Sequence, residues 1–441
     1  MDMRTRESSW KRFLLVGVAL CGVVVLLTAS YNVAASQQGA KRDAAATSPA
    51  KNGTAGVPRF EWDPTWPQPF PNGMITSQIG GITVDSANHA WIGHHVDPKG
   101  GPRSEIVANG QQSNFGIPAP ALLEFDQAGK LLRGLGNSEH KDSDEWESET
   151  LRGLTVDRKG NIWVAGLGPD RNRAKPGRDR VIKLDPNGKF LLQIGSGSDT
   201  DKFDSNDTAN VWEPGGMTID EAANELYIAD GFQAHRVTVF DATTGAYKRH
   251  WGAYGKKPDD TYKFGPLGAG SDAYFIKSGG PYPPQFKTVA CVRISNDGLV
   301  YVCDRNHGRI QVFRKDGTFV KEMVFLPRNT SDMVLSPDSE QRFMYIVDHF
   351  HERVWTARRS DGEILGSFGH PGHYGGEFTV AHNITIDRAG NLYVGETWGG
   401  RRVQRFLYKG LGTADAAEKE VPRQPPGRFL HQEDSPWPSA H

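Results

Sequence analysis

The sequence predicts an all-β fold, a six-bladed β-propeller of four-stranded antiparallel blades. The first observation is the stretch from Cys291 to Met323, CVRISNDGLVYVCDRNHGRIQVFRKDGTFVKEM, which reads as four short strands in succession. Val292, Ile294, Val300, Val302, Ile310, Val312, Phe319 and Val320 supply the apolar positions. Breaks fall at Asn296-Asp297-Gly298, Arg305-Asn306-His307-Gly308 and Lys315-Asp316-Gly317, where Gly takes positive φ cheaply. The second observation is recurrence: the same pattern returns six times between Gly80 and Tyr408. One such sheet cannot bury both its faces, so the copies must cover one another. The third is composition, with 51 Gly, 27 Pro and 11 Trp, which suits many turns and aromatic-filled sheets rather than helices.

The elements follow in order. Arg4, Arg6, Lys11 and Arg12 precede an uncharged run from Phe13 to Ser30, and Val33-Ala34-Ala35 offers small residues at a cleavage site. Residues 1–35 therefore read as a signal peptide if cut and a single-span anchor if not. Either way the segment meets the membrane during export, and the rest is expected to be periplasmic or extracellular. Residues 36–56, rich in Ala, Ser, Gln, Lys and Gly, are expected to be a disordered linker. The lead-in from Val57 carries Pro58, Pro64, Pro67 and Pro69, which excludes a central strand and permits an edge strand.

The propeller is expected over residues 57–410. First strands read Gly81-Ile-Thr-Val-Asp85, Gly153-Leu-Thr-Val-Asp157, Gly216-Met-Thr-Ile-Asp220, Cys291-Val-Arg-Ile-Ser295, Asp332-Met-Val-Leu-Ser336 and Asn383-Ile-Thr-Ile-Asp387. Second strands run from His89-Ala-Trp-Ile-Gly93 to Asn391-Leu-Tyr-Val-Gly395, and third strands from Ala121-Leu-Leu-Glu-Phe125 to Arg402-Val-Gln-Arg-Phe406. The sixth repeat lacks a fourth strand, and the lead-in near Arg59 to Trp62 is expected to supply it and close the ring. Insertions at residues 96–120, 168–179 and 253–286 interrupt the period; the second carries Arg171, Arg173, Lys175 and Arg178, and the third Tyr254, Tyr262, Phe264, Tyr274, Phe275 and Tyr282. Such loops on a rigid scaffold bind ligands or merely cap a face, and the sequence leaves both open. The tail, residues 411–441, has no apolar period and is expected to be disordered.

A net charge of −1 gives no global field and argues against nucleic acid. Three Cys exclude a disulfide-built scaffold. Cys291 and Cys303 fall opposite each other in a hairpin centred on Asp297, either as a cross-strand disulfide or as two buried thiols.

In the last four repeats the second strand ends in an acid, Asp230, Asp304, Asp348 or Glu396. A ring of carboxylates invites a cation such as calcium. Arg236, Arg309, Arg353 and Arg402, each opening the following strand, offer the simpler account of acid–Arg pairs internal to each repeat. Residues that break the repeat are then the better functional candidates. His94 and His95 replace the acid in the first repeat, His349 follows Asp348, and His382 opens the sixth. With Glu396 they would converge on one mouth of the ring as a site for zinc or a similar ion, the alternative being unrelated surface histidines. Arg305 and His307, after Asp304, and Trp398, after Glu396, point toward the same mouth and suit an anionic or planar ligand.

Val300-Tyr-Val-Cys-Asp304 with Arg309-Ile-Gln-Val-Phe313, and Leu226-Tyr-Ile-Ala-Asp230 with Arg236-Val-Thr-Val-Phe240, resemble the NHL-type propeller repeat. That resemblance implies fold and not activity, because the fold hosts enzymes and binding modules alike. More narrowly, Cys303-Asp-Arg-Asn-His-Gly-Arg-Ile-Gln311, Ala229-Asp-Gly-Phe-Gln-Ala-His-Arg236 and Glu377-Phe-Thr-Val-Ala-His-Asn383 resemble the peptidyl-hydroxyglycine amidating lyases. The resemblance implies a zinc held by three histidines at first-strand starts, with a Tyr and Arg residues cleaving a carbinolamide. His382 matches one zinc position and Arg305 a catalytic Arg position. Arg152 and Ala290 stand where the other two histidines would be, and Phe232 where the Tyr would be. One imidazole does not make a zinc site, and Phe is no base.

Two functional expectations result. One is an exported propeller binding a small molecule, peptide or protein at the loop-bearing mouth, through Arg152, His307, Trp398 and Glu396. The other is a metal-dependent lyase or hydrolase with Arg305 and His349 catalytic and His94, His95, His349 and His382 as metal ligands. A lactonase-like calcium site on the acid ring is a third reading, against which the Arg partners weigh.

Overall fold

A computed structural model describes residues 56–413 except 96–106, 109–110, 113–116, 137–149, 168–178, 196–202, 265–281, 232 and 326. The expected targeting segment, linker and tail lie outside the described residues, as do most of the first two insertions and the middle of the third.

The strands form six four-stranded antiparallel sheets. Blade one holds Ile79–Val84, Ala90–His94, Leu122–Phe125 and Leu131–Leu135, in that order across the sheet. Blades two to five repeat the order, beginning at Thr150–Val156, Pro214–Asp220, Val289–Ile294 and Asp332–Leu335. Blade six begins at Ala381–Ile386 and continues through Leu392–Glu396 and Val403–Gly412. Its fourth strand is Val57–Trp62, paired antiparallel with Val403–Gly412. The lead-in therefore closes the ring, as the missing strand required. First strands of successive blades are neighbours all the way round, blade six against blade one.

The cores lie between blades, not within them. One cluster joins Tyr227 and Val237 of blade three to Val292 and Val302 of blade four. Others join Ile82 and Leu123 of blade one to Tyr393 of blade six, and Tyr345 of blade five to Leu392 of blade six. Cations add polar staples across the same junctions. Lys183 lies over the Trp163 ring at 4.8 Å and donates to the Ala242 carbonyl of blade three at 2.8 Å. Arg249 lies over Tyr227 at 5.5 Å and donates to the Lys315 carbonyl of blade four at 2.7 Å. Between blades five and six Phe60 serves instead, its ring 5.2 Å from both Tyr345 and Phe368.

Cys291 and Cys303 are directly opposite in register, buried and disulfide-bonded. Titration of denatured, unreduced protein should accordingly find no more than one of the three cysteines as free thiol. Truncating the closing aromatic, Phe60→Ala, should cost about 2–3 kcal/mol, read as a lower denaturant midpoint. An unchanged midpoint would mean that the lead-in strand does not hold the ring.

Candidate functional site

Five blades share a local irregularity where the first strand begins. The ladder slips one residue between Ile79 and Gly81, Leu151 and Gly153, Pro214 and Met217, Val289 and Cys291, and Ala381 and Asn383. A β-bulge inserts a residue that the ladder leaves unpaired and re-aims its side chain. The inserted residues are Gly80, Arg152, Ala290 and His382, with Gly215 and Gly216 sharing the slip in blade three. Blade five has no slip: Asp332 pairs regularly with Val347, and the Ser331 N–H donates to the Val347 carbonyl at 2.9 Å.

Arg152 of blade two, Arg305 of blade four and His382 of blade six act on one another electrostatically. Those blades are not neighbours, so their side chains meet only across the hollow of the ring. His349 of blade five joins them, its ring centroid 6.5 Å from that of His382. All four residues are half-buried. Burial first, then the Arg152 charge, pulls Arg305 down to about 10. Burial first, then the Arg305 charge, pulls His382 down to about 4. The same two causes, with His382 and His351 behind them, hold His349 well below the ordinary imidazole value. Both imidazoles are thus neutral near pH 7, beside two guanidiniums. Arg152 has a carboxylate neighbour, Glu213, at 3.7 Å.

His349 Nδ1 bonds Ser331 Oγ, and His382 Nδ1 lies 3.2 Å from Asn383 Oδ1. Neither Nε2 has a hydrogen-bond partner among the described residues. Sequence reasoning singled out Arg152, Arg305, His349 and His382, and the structure brings these together. It missed Ser331 and Asn329, whose only signal was their place in the bulge-free blade.

The other candidates lie elsewhere. His94 is 1% exposed, with Nδ1 accepting from the Ser77 N–H at 3.2 Å and Nε2 bonded to the Pro120 carbonyl at 2.9 Å. Both ring nitrogens are spent, so His94 is no metal ligand. His95 Nε2 donates to the Leu151 carbonyl at 2.8 Å and so ties blade one to blade two. His307 is fully buried, with Nδ1 2.7 Å from Asp304 and its ring 6.3 Å from Phe264 under the third insertion; it does not line the mouth. Glu396 is fully buried and accepts from Arg402 at 2.7 Å, Gln404 at 2.8 Å and the Thr379 N–H at 2.7 Å, leaving nothing for a ligand. Trp398 stands 69% exposed at φ 52 on the loop beyond Glu396.

The repeated acids are structural. Asp230 pairs with Arg236 at 2.8 Å, and Arg236 also donates to the carbonyls of Ser205, Asp207 and Asn210 in the approach to its blade. Asp304 and Glu396 pair likewise with Arg309 and Arg402. Each pair pins the chain entering its blade. Blade five departs from this. Asp348 takes His351 Nδ1 at 2.7 Å and the Trp355 indole at 3.0 Å, while Arg353 donates to Ser367 at 3.0 Å. Engaged in these bonds, the acids form no calcium ring. Among the described residues the one group of metal-type ligands within reach of each other is Asp85 and His89, on the turn after the first strand of blade one, with Glu124 on its third strand. Its members are already bound to one another's surroundings through His89–Glu124 and Trp91–Asp85.

Fold and mouth define the class: a six-bladed propeller with an NHL repeat, whose family profile matches residues 286–313. The chain is distantly similar to peptidyl-glycine alpha-amidating monooxygenase B of Xenopus laevis, 26% identical over 353 residues, 76% of this chain and 34% of that protein. Form A of the same organism is 25% identical over 355 residues, covering 76% and 32%. The chain spans about a third of the length of these curated relatives. Similar solved structures include a virginiamycin B lyase from Staphylococcus aureus, with TM-score 0.41, 12% identity and coverage of 76% of this chain and 85% of that one. A streptogramin B lyase structure gives 0.43, 12%, 81% and 100%.

The depressed imidazoles set a pH dependence. Below pH 6.5 the unfolded chain protonates His382, while the folded chain resists until about 4, so stability falls as pH drops through that interval. In His382→Gln, urea midpoints should fall less over the same interval. Equal slopes would place His382 in water.

Proposed function

We propose that this protein binds a carboxylate-bearing ligand at the mouth formed by Arg152, Arg305, His349 and His382. The observation that carries the reading is the approach of Arg152 and Arg305 from non-adjacent blades. The Arg152 charge adds to burial in disfavouring positive charge on Arg305, and an anion between the two guanidiniums relieves it. The imidazoles, held neutral, add no net charge and offer two Nε2 atoms to polar groups of the ligand. The curated relatives are named for peptidyl-glycine, a peptide ending in a free carboxylate. Trp398 and Phe350, exposed on the loops after Glu396 and His349, offer apolar contact beyond the charged end. Export is proposed with it. The N-terminal run supports it, and the buried Cys291–Cys303 bond suits an oxidising compartment.

The zinc site of the amidating lyases does not fit these residues. Of the bulge positions only His382 is an imidazole, and Arg152 and Ala290, a cation and a methyl, stand where the other two ligands are needed. A second reading, a lyase or hydrolase at the same mouth, is favoured by the open Nε2 of His349, which suits a general base.

Calorimetry with acetyl-Phe-Gly and its amide separates the cases. The acid should bind better than the amide, and Arg305→Ala should weaken it by about tenfold or more, the loss of a charge-assisted hydrogen bond. Equal affinity for acid and amide refutes the anion site. Stoichiometric zinc that disappears in His349→Ala or His382→Ala would favour the enzyme over the binding module.

A further inference from the structure

Asn329 and Ser331 lie beside the mouth, each 2% exposed. Neither belongs to the repeat signature. Asn329 Nδ2 is 3.0 Å from the backbone carbonyl of Arg305. A carbonyl only accepts, so the amide orientation is fixed and Oδ1 faces the other way. Ser331 Oγ lies 2.7 Å from that Oδ1. An amide oxygen carries no proton, so the single hydroxyl proton of Ser331 is committed to it. Ser331 Oγ also contacts His349 Nδ1. With its proton spent, the hydroxyl can only accept there, and Nδ1 must carry the hydrogen. Burial and the Arg305 charge keep His349 from taking a second proton.

We infer that Asn329 and Ser331 are positioning residues that lock His349 as the Nδ1–H tautomer and present the Nε2 lone pair to the mouth. The relay starts at the backbone of Arg305, so the proposed anion-binding residue and the imidazole beside it are held by one chain of hydrogen bonds. The use of that lone pair by a ligand rests on the carboxylate reading above; the tautomer itself does not. The arrangement is available because blade five has no bulge. Ser331 occupies the position that Arg152, Ala290 and His382 hold elsewhere, and its N–H stays tied to Val347.

Imidazole nitrogen NMR on the full chain tests this, with the His349 signals assigned by their loss in His349→Gln. At neutral pH the wild-type ring should show a protonated Nδ1 and a bare Nε2. Asn329→Ala frees the Ser331 hydroxyl to donate, so the Nε2–H tautomer should appear. Ser331→Ala should give a mixture, and Ser331→Thr, which keeps the hydroxyl, should restore the wild-type pattern. A wild-type ring protonated at Nε2, or an Asn329→Ala spectrum identical to wild type, overturns the relay, and the wild-type spectrum decides even where a variant does not fold. If the tautomer behaves as stated but acetyl-Phe-Gly does not bind, the relay stands and the carboxylate reading alone falls.

Discussion

Each sheet of this ring has two apolar faces and only its neighbours to cover them. The clusters accordingly run between blades, pairing blade-three residues such as Val237 with blade-four residues such as Val302. Such an architecture has no independent subunit: a blade is stable to the extent that both flanking blades are present. An open ring would leave two blades half covered and two strand edges unpaired. Val57–Trp62 answers both needs at once. Its backbone completes blade six, and Phe60 fills the junction with blade five. The chain thus closes itself by uniting sequence ends that lie more than three hundred residues apart, as the pairing of Glu61 with Leu407 shows.

The same radial logic explains which polar residues are structural. A buried carboxylate needs partners. In blades three, four and six it finds an Arg on the adjacent strand, and the pair grips the chain arriving from the previous blade. Asp304, for example, also accepts from the Lys287 and Thr288 N–H groups at 3.0 and 3.2 Å. The acids and arginines are therefore anchors of the loops around the mouth rather than its contents.

Much of this was legible in the sequence. The strands, the six-fold recurrence and the missing fourth strand follow from period-two patterning and turn chemistry, which act locally. The acid–Arg pairs were legible because both partners recur at fixed spacing. Sequence could not separate His94 from His382, since both interrupt a repeat. Their difference is whether the ring nitrogens meet backbone or open space, and that depends on the neighbouring blade. Glu396 was misread for a related reason: Gln404 and Thr379, which saturate it, carry no motif. Asp348 departed from its expected Arg: Asp304 holds a His three residues on and its Arg together, but on Asp348 the Trp355 indole joins His351 in place of the Arg, and a pattern match has no term for that exchange.

The mouth owes its chemistry to a defect in regularity. A strand that keeps its register alternates side chains strictly between the two faces of its sheet, and both faces here are buried against other blades. A side chain reaches the hollow only where the ladder slips or the strand has ended. The slip at Arg152 and His382 does the first, and Arg305 and His349, one residue beyond the second-strand acids Asp304 and Asp348, do the second. At Arg152 and His382 the slip carries a long side chain out of the sheet, whereas at Gly80 any Cβ would run into the Leu151 carbonyl of blade two, so the room at a slip differs from blade to blade. The scaffold accordingly carries Gly80 in one blade, Ala290 in another and Arg152 in a third. Within that room the contents of the hollow are free to diverge between propellers whose blades are alike, which is why the fold of this chain constrains its ligand so much less than four side chains do.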